Sequence, residues 1–137
     1  MTSRAVFLDT SGVYETADRN GRRHEATVAA FQQLLADAVP LLTTDLVLAE
    51  LHGLTLGRLG PEIALDLVDR LSASPRLEVL ATGPDVLRAA IELLRLRPGR
   101  RLSLVDASSF LVMRAHDVGT ALALDTDFVA EGFSTLP

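Results

Sequence analysis

Short apolar runs alternate with stretches of helical spacing along most of this chain. Ala5-Val6-Phe7-Leu8 is continuously apolar and reads as a buried strand. From about His24 to Asp37, the residues Val28, Phe31, Leu34 and Leu35 recur on one helical face. Val39 to Thr43 reads as a second strand. A helix is expected from about Asp45 to Leu56, ended by Gly57 and Gly60, and Pro61 opens another that runs to about Ser72. Leu77-Glu78-Val79-Leu80 is a third short strand. Pro84 starts a helix to about Leu96, and Pro98-Gly99 breaks it. Ser103 caps a helix to about His116, Thr120 to Leu124 is a fourth strand, and Ser134 to Leu136 is a candidate fifth. Strands separated by helices imply an α/β fold with a mainly parallel sheet. No linker, repeat or low-complexity segment divides the chain, so one domain is expected over residues 1–137.

In open parallel sheets, ligands bind beyond the carboxyl ends of the strands. Asp9 directly follows the first apolar run, and Asp125 directly follows Ala121-Leu122-Ala123-Leu124. If those strands are parallel neighbours, Asp9 and Asp125 meet at one sheet edge. Each has a plainer reading: Asp9 as a cap for the next helix, and the nearby Asp127 as the N-cap of a short final helix.

Two more carboxylates sit on apolar helix faces. At about 100° per residue, Leu46, Val47, Leu51 and Leu54 form one arc, and Glu50 falls inside it. A carboxylate facing a core is costly unless it is paired or holds a metal. Asp106 lies between the directions of Phe110 and Met113 on a helix that is apolar nearly all round. Ser103-Leu104-Val105-Asp106 also reads as a capping box, and one side chain can do both.

Composition narrows the chemistry. The chain has no cysteine, which removes disulfides, thiolate zinc sites and cysteine nucleophiles. Its three histidines, His24, His52 and His116, share no metal-ligand spacing. A metal here would be held by oxygen, which favours Mg²⁺ or Mn²⁺ over zinc. Four clustered carboxylates suit such a hard cation, whose waters supply a nucleophile of lowered pKa. The net charge is -5, so the chain lacks the basic excess of a passive nucleic-acid binder. All 13 basic residues are arginine, which reads as codon bias rather than RNA recognition. Charge is densest in the loop from Arg95 to Arg101. No apolar run approaches the roughly 18 residues a membrane span needs. The N-terminal Met1-Thr2-Ser3-Arg4 lacks a signal-peptide pattern, and a soluble cytoplasmic protein is expected.

Four segments, in order, resemble the VapC toxins, the PIN-domain ribonucleases of bacterial toxin–antitoxin pairs. They are Phe7-Leu8-Asp9-Thr10-Ser11, Thr44-Asp45-Leu46-Val47-Leu48-Ala49-Glu50-Leu51, Leu102-Ser103-Leu104-Val105-Asp106-Ala107 and Ala123-Leu124-Asp125-Thr126-Asp127-Phe128. The closing Gly132-Phe133 and Leu136-Pro137 also fit. The resemblance implies a PIN-like domain with a mainly parallel sheet of about five strands flanked by helices. It carries catalytic roles to Asp9, Glu50, Asp106 and Asp125, and metal binding to Asp9, Asp106 and Asp125. Glu50 would act directly or through water, with Asp127 as the alternative to Asp125. It gives Ser11 a supporting role and His24 a structural one. It also implies an Mg²⁺- or Mn²⁺-dependent endoribonuclease, a VapB-type antitoxin partner and a homodimer. The RNA target is left open.

Other readings compete. A housekeeping RNA-processing nuclease would have the same site, and a catalytically silent binding module would keep the fold without the activity. A phosphorylated receiver domain relies on a lysine that this chain lacks. A Toprim-type nuclease would use Asp125-Thr126-Asp127 but wants a glutamate where Asp9 stands. A haloacid-dehalogenase-like phosphatase wants a second aspartate where Ser11 stands.

Overall fold

The structure is a computed structural model that describes residues 3–137; Met1 and Thr2, the start of the expected 1–137 domain and of the N-terminal reading, lie outside the described residues. Strand β1 (Ser3–Leu8) is the apolar run expected there, and it leads into helix α1 (Thr10–Ala17) and helix α2 (His24–Ala36). Strand β2 (Leu41–Thr44) passes directly into α3 (Asp45–Leu59), followed by α4 (Pro61–Ala73) and β3 (Leu77–Leu80). Helices α5 (Gly83–Arg95) and α6 (Leu104–Ala115) precede β4 (Val118–Leu122), the short α7 (Asp127–Ala130) and β5 (Ser134–Leu136).

The strands form one five-stranded parallel sheet in the order β3-β2-β1-β4-β5. The chain builds outward from β1 to β3, then crosses back to lay β4 on the other side of β1. That reversal makes a crevice between the carboxyl ends of β1 and β4, the place where open α/β sheets bind ligands.

Alternation along the strands divides the core in two. Phe7, Leu42 and Ala121 pack with Ala90, Leu93, Phe110, Met113 and Phe128, under α5, α6 and α7. Val6, Leu8, Leu41 and Leu122 pack with Val13, Tyr14, Leu34, Leu51 and Leu71, under α1 to α4. Helix α3 serves both layers, giving Val47 to the first and Leu51 to the second. It contacts both α1 and α6, and Glu50 lines one cleft with Ser11 of α1 and Asp106 of α6.

Several expected boundaries move. Helix α1 is announced only by the cap reading of Asp9, because Thr10-Ser11-Gly12-Val13-Tyr14-Glu15-Thr16-Ala17 carries too little apolar periodicity to set its bounds. Helix α3 continues through Gly57, and the break falls at Gly60, whose φ of 94° lies in the left-handed region that favours glycine. Strand β2 begins at Leu41 rather than Val39. Strand β4 ends at Leu122, not Leu124, although Ala123 still donates its N–H to the Leu136 carbonyl at 3.1 Å.

Candidate active site

The crevice is built from the end of β1 outward. Asp9 N–H donates to the Leu122 carbonyl at 3.1 Å, which carries the β1–β4 pairing one residue past β1. Asp9 is then the N-cap of α1, and its Oδ2 accepts from Ser11 N–H at 3.1 Å and from the Ser11 hydroxyl at 2.6 Å. The same hydroxyl oxygen accepts from Leu124 N–H at 3.0 Å, tying α1 to the segment that carries Asp125. This is possible only because α1 lies flush on β4: a Cβ on Gly12 would sit 2.3 Å from the Leu122 carbonyl oxygen. Capping and lining the site, posed as alternatives for Asp9, are both realised.

Asp9 is 3% exposed, and its second oxygen, Oδ1, is buried without a hydrogen-bond partner. Burial pushes its carboxyl up to about 6; the Ser11 hydrogen bonds oppose the rise, and the charges of Asp106 and Glu50 add to it. A buried anionic oxygen with no donor is the group a cation would satisfy.

Glu50 sits on α3, whose N-terminus is fixed twice. Thr44 Oγ1 accepts from Val47 N–H at 3.1 Å. Asp45 Oδ1 accepts from the Thr82 hydroxyl at 2.7 Å and from Thr82 N–H at 3.0 Å, pinning α3 to the start of α5. Asp106 is held by the capping box expected from the sequence. Its N–H donates to Ser103 Oγ at 3.0 Å, and its Oδ2 accepts from Ser103 N–H at 3.0 Å. Asp125 stands three residues past β4, where its Oδ1 accepts from Asp127 N–H at 2.9 Å. Asp125, not Asp127, therefore satisfies the start of α7; Asp127 is already the first helical residue, so its expected N-cap role is not found. Burial raises the Asp125 carboxyl above its ordinary range, and the neighbouring charges of Asp127 and Asp106 add to the rise.

Asp9, Ser11, Glu50, Asp106 and Asp125 all line one cleft of about 350 Å³, together with Thr10, Leu54 and Ser103. No basic side chain is among these lining residues. The tightest grouping of carboxylates differs from the expected metal set. Oxygens of Asp106, Asp125 and Asp127 lie within 4.8 Å of one another, a grouping that does not include Asp9 or Glu50, which line the same cleft. Asp127 also accepts from Arg100 at 3.2 Å, a partner the sequence reading did not assign. An all-oxygen donor set with one orphaned buried oxygen fits a hard divalent cation. Sequence reasoning missed Gly12 and Arg100; the signals were a glycine just after Asp9-Thr10-Ser11 and an arginine-rich loop before Ser103.

A sheet of this order with carboxylates at its β1–β4 switch point has relatives. The model of the PIN domain matches residues 6–132. The chain is 34% identical over 130 residues to the 23S rRNA-specific endonuclease VapC20 of Mycobacterium tuberculosis, covering 93% of this chain and 95% of that protein. The crystal structure of M. tuberculosis VapC20, described as a Sarcin-Ricin loop cleaving toxin, superposes with a TM-score of 0.83 at 31% identity, covering 93% of this chain and 95% of that one. VapBC2 from Rickettsia felis, bound to a DNA fragment from their promoter, shares the fold at a TM-score of 0.67 and 17% identity, with 96% of each chain covered. The chain belongs to the PIN-domain family, as a ribonuclease toxin of the VapC type.

Proposed function

We propose that this protein cleaves RNA with a divalent cation, Mg²⁺ or Mn²⁺, held by Asp9, Asp106 and Asp125, with Glu50 binding it directly or through a water. The observation that carries this reading is the buried, unpartnered Oδ1 of Asp9 in a cleft lined by three further carboxylates and no basic group. When bound, the cation supplies an activated water and stabilises charge on the scissile phosphate. The chain's own residues do the rest. Ser11 orients the Asp9 carboxylate, and the Ser103 capping box fixes one oxygen of Asp106 and leaves the other open to the cleft. Glu50, on α3, lines the same cleft and would accept the proton of an attacking water.

VapC20 is a 23S rRNA-specific endonuclease that cleaves the Sarcin-Ricin loop, and an RNA fragment carrying that loop is the substrate to test. We place the protein in the cytoplasm, where that RNA is. A VapB-type antitoxin is the expected partner. The apolar groove of about 650 Å³ between α2 and α4 suits its seat: Val28, Phe31, Leu35, Ile63, Leu67 and Leu71 line it. Leu65, 64% exposed on α4, suits a homodimer contact. The experiment is cleavage of the RNA fragment by the purified protein, with product mapping. Cleavage with Mg²⁺ or Mn²⁺ that stops in chelator is expected; chelator-insensitive cleavage, or none with any RNA, contradicts the reading.

A further inference from the structure

A second charge cluster, joined to Asp127 through Arg100, is one that the reaction does not use. The Glu131 side chain is 3% exposed, and its carboxylate accepts from Arg97 Nε at 2.9 Å, Arg100 Nη1 at 3.2 Å and Arg114 Nη2 at 3.1 Å. Three guanidiniums around one buried carboxylate leave an excess of positive charge. The surplus has a specific outlet: Arg100 Nη2 donates to Asp127 Oδ1 at 3.2 Å, and both side chains are 29% exposed. Asp127 is the carboxylate whose oxygen lies within 4.8 Å of those of Asp106 and Asp125. Arg100 thus spans from a buried anchor to the edge of the metal site. Its loop is set for this, since Arg100 N–H donates to the Arg97 carbonyl at 3.2 Å around Pro98-Gly99.

From this we infer that Arg100 is a positioning residue: anchored on Glu131, it holds the Asp127 carboxylate out of the cation's coordination. The inference rests on the metal reading above. A hard cation recruits any free carboxylate within reach, and each added anionic ligand displaces a water. A nuclease site has to keep water positions open. A guanidinium never loses its proton at working pH, so it restrains Asp127 at every pH at which the protein is folded.

The test is calorimetric titration of the full chain with Mn²⁺, each variant first checked by thermal melting. Arg100→Gln frees Asp127 and removes a positive charge, so it is expected to bind Mn²⁺ on the order of tenfold more tightly. Arg100→Lys keeps the charge and is expected to stay within about threefold of wild type. In Arg100→Gln/Asp127→Asn the gain is expected to vanish. Asp127→Asn alone does not depend on the Arg100 variants folding, and it is expected to stay within about threefold of wild type. Arg100→Gln binding no more tightly than wild type overturns the inference, as does a gain that survives in the double variant. So does a tenfold loss in Asp127→Asn, which would make Asp127 a ligand. A wild-type protein that binds no Mn²⁺ contradicts the metal reading itself and overturns both.

Discussion

The Ser11 hydroxyl donates to Asp9 Oδ2 at 2.6 Å while its oxygen accepts from Leu124 N–H at 3.0 Å. One small side chain thereby fixes the end of β1 to the segment leaving β4, the two sides of the crevice. Ser11→Ala removes both bonds and leaves the Leu124 N–H unpaired. The expected cost is about 1–2 kcal/mol of stability, measured by urea unfolding. Mn²⁺ affinity at neutral pH is expected to fall as well, because Ser11 holds the Asp9 carboxyl down and its loss raises that group further.

Asp9 sets a pH dependence. Its carboxyl rises from 3.8 to about 6 on folding, chiefly through burial. Between those values the folded state keeps a proton that the unfolded chain has released. The contribution of Asp9 to the stability of the metal-free protein is therefore greatest below the unfolded value and falls as pH rises through about 6. The loss is on the order of 2–3 kcal/mol. Asp9→Asn is expected to abolish this slope and to be more stable than wild type at neutral pH without metal. Saturating Mg²⁺ is expected to flatten the wild-type slope too. Urea unfolding at a series of pH values, with and without Mg²⁺, checks both; an unchanged slope in Asp9→Asn would show that another group carries it.

Gly12 is the packing condition of the site. A Cβ there would meet the Leu122 carbonyl oxygen at 2.3 Å, and backbone paired to strands on both sides does not yield cheaply. Gly12→Ala is expected to cost about 1–3 kcal/mol. It should also lower Mn²⁺ affinity, since lifting α1 pulls Ser11 from Leu124. Thermal melting paired with Mn²⁺ titration checks it; a stable variant with full affinity would mean α1 can shift without disturbing Asp9.

Much of this was legible before the structure, and the exceptions have physical causes. The helix around Phe31 is announced by apolar spacing, the one around Phe110 by being apolar nearly all round, and α5 by Pro84 and the Pro98-Gly99 break. Asp9 stood out because it directly follows a strand, and Glu50 and Asp106 because a carboxylate on an apolar helix face breaks the pattern. Helix α1 showed only through the cap reading of Asp9, because it is held by that cap and by backbone approach at Gly12, not by an apolar face. The end of β4 was placed two residues late because Ala123 and Leu124 are as apolar as the strand before them; its pairing partner β5 ends at Leu136, a limit set by the neighbouring strand. Arg100 was invisible for the same kind of reason. Its importance comes from Glu131 and Asp127, 31 and 27 residues away, and an arginine-rich loop read alone looks like a solvated turn.

The most direct measurement is the initial rate of RNA cleavage by Asp106→Asn in saturating Mg²⁺ or Mn²⁺, against wild type at equal folded concentration. The asparagine can keep the Ser103 capping box while losing the charge that faces the cleft. Changes one shell further from a metal cost about 10–100-fold, so a ligand change is expected to lower the rate at least about 100-fold with the melting temperature preserved. A folded Asp106→Asn protein that cleaves within a few-fold of wild type would contradict a carboxylate-held cation as the source of this enzyme's activity.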